Sequence, residues 1–272
     1  VLRDAIWKEH EQGLTALYDL SASVEQALQK LPAGWLPRSS QKVVVLHLFV
    51  RAFKTSQAVY TLFSSGFAQD AMSLLRGLTE GVIDLWFILR KPGIRGRQFA
   101  DYMIIGKRDW MRRMTRAFPQ WPLPPGVEQK AEADYAALLA RRPNYKKLSK
   151  NWSSEGMAAR AEASNCKNLY FYYVLSCQML HADPRSVSSY LRPGVGMDDG
   201  PSMPLPGEEK TVEIAYVCLL DAFNAANEVF RWRKGDLVKR YARRFQREFG
   251  DRAKPKPGPS TQPAAPGGMT PP

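Results

Sequence analysis

Residues 67–90 read FAQDAMSLLRGLTEGVIDLWFILR, and the spacing within this stretch decides the fold. Leu74, Leu75, Leu78, Val82, Leu85, Trp86 and Leu89 recur at three and four residues, the period of an α-helix. They cover most of the cylinder, so the helix is expected to be largely surrounded by protein. Its polar groups form one row: Arg76, Glu80 and Asp84 stand four residues apart and share a face. Ser73, Gly77 and Gly81 make an adjacent strip of small residues, where a neighbouring element can approach closely. Pro92-Gly93 closes the helix.

The same periodicity extends in both directions, and two-residue alternation is almost absent, so an all-α, bundle-like domain of six to eight helices is expected. A first helix spans 2–31 with a break near Gly13, and a second runs from Gln41 to about Phe63 with Ser39 or Ser40 as its cap. The β-branched run Val43-Val44-Val45 favours extended chain locally, but the helical pattern continues without a turn through Phe53, Val59 and Phe63, too long for an ordinary strand. Downstream, helices are expected over about 95–118, 127–141, 155–181 and 208–233, with a basic extension to about 249. Pro119, Pro122, Pro124 and Pro125 enforce an extended connection, and the Pro/Gly-rich segment 182–207 reads as a long loop. The expected division is a helical domain over 1–235, a basic helical extension over 236–250 and a disordered tail over 251–272, whose Pro/Gly/Ala/Ser composition cannot repay the entropy of ordering.

The chain has 272 residues with 39 Lys and Arg against 26 Asp and Glu, a formal charge of +13. From Arg231 onward the net charge is +8, so more than half of the excess lies in the last sixth of the chain. Arg231, Arg233, Lys234, Lys239, Arg240, Arg243, Arg244 and Arg247 alternate there with Trp232, Leu237, Val238, Tyr241, Phe245 and Phe249. Such a helix can dock by its apolar side and turn its cations toward the phosphates of RNA or DNA, or toward an anionic membrane surface. A solvated terminal helix on a basic protein gives the same pattern. Three isolated cysteines, Cys166, Cys177 and Cys218, support neither a disulfide framework nor a zinc site. No metal or cofactor is expected. The absence of a long apolar run and of a signal-peptide pattern points to a cytoplasmic protein.

Two helices carry candidate chemistry. Arg76 and Glu80 form either an ion pair at a helix crossing or part of a ligand site. Tyr173, Cys177 and His181 share a face of the helix that ends at Asp183-Pro184, where the dipole favours a protonated His181, which serves as a carbonyl cap or as a general acid or base. His47 and Arg51 lie with Lys54 and Thr55 on the polar face of the second helix. Phosphate-loop, zinc-protease and serine-hydrolase signatures are all missing.

The combination of Ser73-Leu74-Leu75-Arg76-Gly77-Leu78-Thr79-Glu80 with Trp152-Ser153, Tyr170, Tyr173, Ser176 and His181 resembles an uncharacterised bacterial all-α domain family, over about residues 40–235. That resemblance implies a helical fold in which the Arg-x-x-x-Glu helix and the Tyr…Ser…His helix pair, and it names no reaction. A more distant similarity is to the HEPN-type helical ribonucleases, which implies metal-independent cleavage of RNA in a toxin or phage-defence setting. Leu175 and Ser176 stand where the arginine of that motif is expected, so Arg76 or Arg185 would have to supply the cation beside His181.

The expectation is therefore a helical binding module that takes an anionic partner on its C-terminal helix. The alternatives are a ribonuclease centred on Arg76, Glu80 and His181, and a peripheral membrane protein attached through 231–249. Self-association into a homo-oligomer is compatible with all three.

Overall fold

The computed structural model describes residues 2–32, 35, 37–147, 151–180, 191–192, 196–197, 208 and 210–250. Among them are nine α-helices, one more than the upper expectation: α1 (Leu2–Gln29), α2 (Ser40–Ser64), α3 (Ala68–Arg90), α4 (Pro92–Ala117), α5 (Val127–Arg141), α6 (Met157–Ala163), α7 (Lys167–Leu180), α8 (Lys210–Phe230) and α9 (Gly235–Phe249). A 3-10 turn over Pro143–Lys147 follows α5, and Leu191 and Arg192 pair antiparallel with Met197 and Gly196. His181, most of 182–207 and the 251–272 tail lie outside the described residues.

The central helix is α3, as its sequence pattern demands. It packs against α2, α7 and α8, while α1 crosses α2 and α8. Leu75, Leu78, Val82, Ile83, Leu85, Phe87 and Ile88 are all buried, on more than one side of the cylinder. Facing them are Phe49 and Phe63 of α2 and Tyr216 and Phe223 of α8, also fully enclosed. Each such side chain contributes about 1.5–3 kcal/mol by leaving water. The β-branched run of α2 is helical: Ser39 caps the helix by accepting the Lys42 amide at 3.3 Å, and Val44 and Val45 enter the core.

Three expected boundaries move, each for a local reason. The break in α1 falls at His10 (φ −115°, ψ 18°) rather than at Gly13, because the His10 ring is held edge-on to Phe63 at 5.3 Å. The single helix expected over 155–181 is two helices. Ser164 bonds back to the Arg160 carbonyl at 2.7 Å, and Asn165 then takes a left-handed conformation (φ 62°), which asparagine tolerates better than most residues. The third change is at 231–234, where the chain turns instead of continuing from α8. Arg231 and Arg233 adopt positive φ (55° and 59°), and Trp232 between them is drawn into rings from Phe49, Phe223 and Phe230. The Lys234 amide donates to Asn227 Oδ1 at 2.7 Å, closing the turn.

That turn folds α9 back over α1 and α8. Phe245 stacks on Tyr216 with ring centres 5.6 Å apart, and Phe249 lies at 5.9 Å from the same ring. Tyr241 donates to the Asp19 carbonyl at 2.9 Å and accepts from Ser23 at 2.7 Å, while Tyr216 donates to the Tyr241 carbonyl at 2.9 Å.

In contrast, α4 leans on α2 and α3 only over its first half and then departs as a hairpin with α5. The hairpin has a small apolar seam of its own, from Ile105, Met111, Ala131 and Leu138, outside the main core. It is laced by Glu132, which accepts from Arg108 at 3.2 Å and from Arg112 at 2.6 Å.

Burial alone raises the Asp221 carboxyl of α8 from 3.8 to about 6. The folded state therefore holds this proton after the unfolded chain has lost it. Stability from this group is greatest below about pH 4 and falls as pH rises to 6. Asp221→Asn should stabilise the protein at pH 7 by on the order of 1–3 kcal/mol and have little effect at pH 4, as read by chemical denaturation at the two pH values. An equal effect at both would contradict the assignment.

Candidate functional site

The polar row of α3 divides between two environments. At its N-terminal end, Arg76 turns toward α7, with its guanidinium carbon 5.6 Å from the centre of the Tyr173 ring. Burial works against the Arg76 charge, but interactions with the Cys177 and Tyr173 side chains and the negative charge of Glu80 outweigh it and hold the group firmly protonated. Burial pushes the Tyr173 hydroxyl above its ordinary value, aided by Cys177, so it is a neutral donor at physiological pH. From the opposite side, α2 contributes Arg51. Its guanidinium crosses Gly77 so closely that a Cβ there would come within 3.1 Å of Nη2, whereas at Gly81, the next glycine of the strip, no neighbour comes within 4 Å of that position.

One turn earlier on α2, burial and then the Arg51 charge lower the pKa of His47, leaving a neutral imidazole able to accept a proton. His47 and Arg51 line an open groove of about 480 Å³ along α2, with Val43, Val50 and Lys54. The contact between α3 and α7 thus assembles a guanidinium, a carboxylate, a phenol and a thiol, and the Arg51 guanidinium of α2 lies on another side of α3, against Gly77. Such a set suits an anionic ligand that accepts hydrogen bonds. Arg76 and Glu80 are brought together with Tyr173 and Cys177, and His181 is outside the described residues. Sequence reading missed the approach of Arg51 to Gly77, since a solvated face and a face aimed at a glycine look alike in one dimension.

Asp84, at the other end of the row, belongs to a different cluster. It is buried, with Trp152 Nε1 donating to Oδ2 at 3.0 Å and Arg160 Nη1 donating to Oδ1. The Trp152 ring is held between Phe87 and Phe99, at 5.8 and 5.1 Å between centres. Desolvation raises the Asp84 carboxyl to about 6 in spite of these partners, so it is ionised at neutral pH and balances Arg160. Trp152 stands out in the sequence; Arg160 does not, being one of many arginines.

The C-terminal cations separate into committed and open ones. Arg244 is committed: it bonds Asp19 Oδ2 at 2.6 Å and Glu248 Oε1 at 2.7 Å. Lys239, Arg240, Arg243 and Arg247 are exposed on α9, as are Arg231 and Arg233 at the preceding turn, where Lys234 is half-buried. Arg240, Arg243 and Arg247, at i, i+3 and i+7, line a shallow groove of about 850 Å³ between α9 and α1, with Asp19, Ser23 and Gln26 on its far side and Glu248 beside Arg247 Nη2 at 3.6 Å. Among the described residues no helix is long and apolar enough to cross a membrane, and no three His, Cys, Asp or Glu side chains are placed to hold a metal ion.

Comparison with known proteins identifies a family. A family model described as a family of unknown function, DUF5677, covers residues 42–199, more than half of the chain. It spans α2 to α7 and so contains both the Arg76–Glu80–Tyr173 contact and the Asp84–Trp152–Arg160 cluster; α8 and α9 lie beyond it. No curated protein and no solved structure matches.

If Asp84 serves as the counter-charge of Arg160, Asp84→Ala leaves a buried guanidinium unpaired and should cost about 3–5 kcal/mol in chemical denaturation. Pairing it with Arg160→Met should recover much of that loss, because the stranded charge goes too. Simple additivity of the two variants would contradict the pairing.

Proposed function

Starting from the premise that the chain belongs to DUF5677, a family of unknown function, we propose that it is a binding module that takes nucleic acid on the outward face of α9. The observation that carries this reading is the separation of faces on that helix. Its apolar residues, Tyr241 and Phe249 foremost, are sunk against α1 and α8, and Arg240, Arg243 and Arg247 stand in one exposed row above the groove. An α9 docked in this way offers a partner its charges and not its apolar side. Arginines whose Cβ atoms stand about 5–6 Å apart along a helix can reach successive phosphates, and release of condensed counterions would drive the association. Ser23 and Gln26 across the groove add uncharged hydrogen-bonding groups.

Fluorescence anisotropy with a labelled duplex across a salt series tests this. The triple variant Arg240→Glu, Arg243→Glu, Arg247→Glu should lower affinity by at least about tenfold and flatten the salt slope by roughly three. Unchanged affinity would overturn the proposal.

The α3–α7 contact favours a second reading, a ribonuclease in which Arg76 holds a phosphate and His181, which follows α7 in the chain, moves the proton. Incubation of an RNA pool with chelator present, read on a denaturing gel, separates the two. Cleavage by the wild type that is lost in folded His181→Ala and Arg76→Ala supports the enzyme. No cleavage by any of them removes it.

A further inference from the structure

The loop between α4 and α5 forms the end of the hairpin that leaves the main body, and its composition is uncharged and rich in proline and aromatic residues. From Ala117 to Val127 there are eleven residues and no charge. Phe118 and Trp121 stack on each other with ring centres 5.3 Å apart and planes within 16°, yet Trp121 is 66% exposed. Trp110, more than two turns further back on α4 and apart from this pair, is 54% exposed. Apolar side chains of this size are usually turned inward, and a contiguous exposed group of them marks a contact surface.

The backbone of this tip is unusually tolerant of a medium without water. Pro119, Pro122, Pro124 and Pro125 carry no amide hydrogen. The amides of Phe118, Trp121 and Val127 are bonded within the tip, to the carbonyls of Met114, Phe118 and Pro124. Seven of the ten residues from Phe118 to Val127 therefore present no unpaired backbone donor, which lowers the donor share of the cost of moving a loop out of water. Behind the tip, Arg113 and Arg116 of α4 and Lys130 of α5 are exposed. Arg116 and Arg113 lie about 3 and 8 Å back from Phe118 along the helix axis, the depth at which lipid headgroups would sit if the rings entered the acyl boundary. The collar also holds one carboxylate, Glu128 in the first turn of α5, which lines the tip cavity beside Phe118 and Trp121, so three cations stand against one acid; Glu132, a turn further back, is occupied by Arg108 and Arg112.

We propose that the α4–α5 tip is a membrane-surface anchor: Phe118 and Trp121 enter the interface of an anionic bilayer, and Arg113, Arg116 and Lys130 engage its phosphates. Tryptophan prefers that boundary, and cations behind an apolar tip require the lipid to be acidic. The site is separate from α9 and stands whether or not α9 binds nucleic acid. No bond is made or broken, and the attachment is reversible.

Flotation of the full chain with vesicles of phosphatidylcholine alone, or of phosphatidylcholine mixed with phosphatidylglycerol, tests the anchor. Wild type should float only with the acidic vesicles. Phe118→Ser/Trp121→Ser and Arg113→Glu/Arg116→Glu, with unchanged circular dichroism because these side chains are exposed, should each reduce the bound fraction roughly tenfold. Brominated acyl chains should quench a component of tryptophan emission that is missing in Trp121→Ser. Equal flotation of the Phe118/Trp121 variant, or flotation without quenching assigned to Trp121, would overturn the proposal and leave the α9 charges as the lipid contact. Failure of the wild type to float, with a dimer that dissociates in the Phe118/Trp121 variant, would overturn it in favour of a second copy covering the tip.

Discussion

Asp84 is a carboxylate on the most enclosed helix of the molecule, and much of the arrangement around α3 follows from having to satisfy it. A charge in that position is tolerable only when donors reach it from other elements. The indole of Trp152 and the guanidinium of Arg160 do so, which ties the chain leading into α6 onto α3. Trp152 in turn fits between Phe87 and Phe99, so the same contact fixes the first half of α4. With those elements placed, α7 lies along the other end of α3, and Arg76 meets Tyr173.

The electrostatics are distributed among three places that do different things. In the interior, Arg160 is spent on structure. Where α3 meets α7, Arg76 is held near Glu80, a phenol and a thiol, and Arg51 of α2 reaches over Gly77. On the outside, α9 and the α4–α5 hairpin present arginines with few acidic partners. Some cations are neutralised by Asp19, Glu132 or Glu248, and others are exposed, among them a row on α9 and a group behind the aromatic tip. The family match places the Arg76–Glu80–Tyr173 contact, not α9, within the part shared with DUF5677.

The sequence by itself determined the helical class and most of the helices, because a 3.6-residue apolar period, a Ser39 cap and proline stops act within a few residues of one another. It also determined that Arg76, Glu80 and Asp84 share a face, and that the last helix is apolar on one side and cationic on the other. Only the tertiary structure decided what those faces meet. Asp84 and Arg160 are 76 residues apart, and nothing local distinguishes Arg160 from Arg141 or Arg142 until the chain folds. The turn at 231–234 depends on Trp232 finding the distant Phe49 and Phe223, so a pattern that reads as one long helix becomes two. Which arginines of α9 remain open likewise depends on Asp19, more than two hundred residues away, having claimed Arg244. Periodicity is a property of neighbours in the chain, whereas pairing and exposure are properties of neighbours in space, and these appear only once the helices have packed.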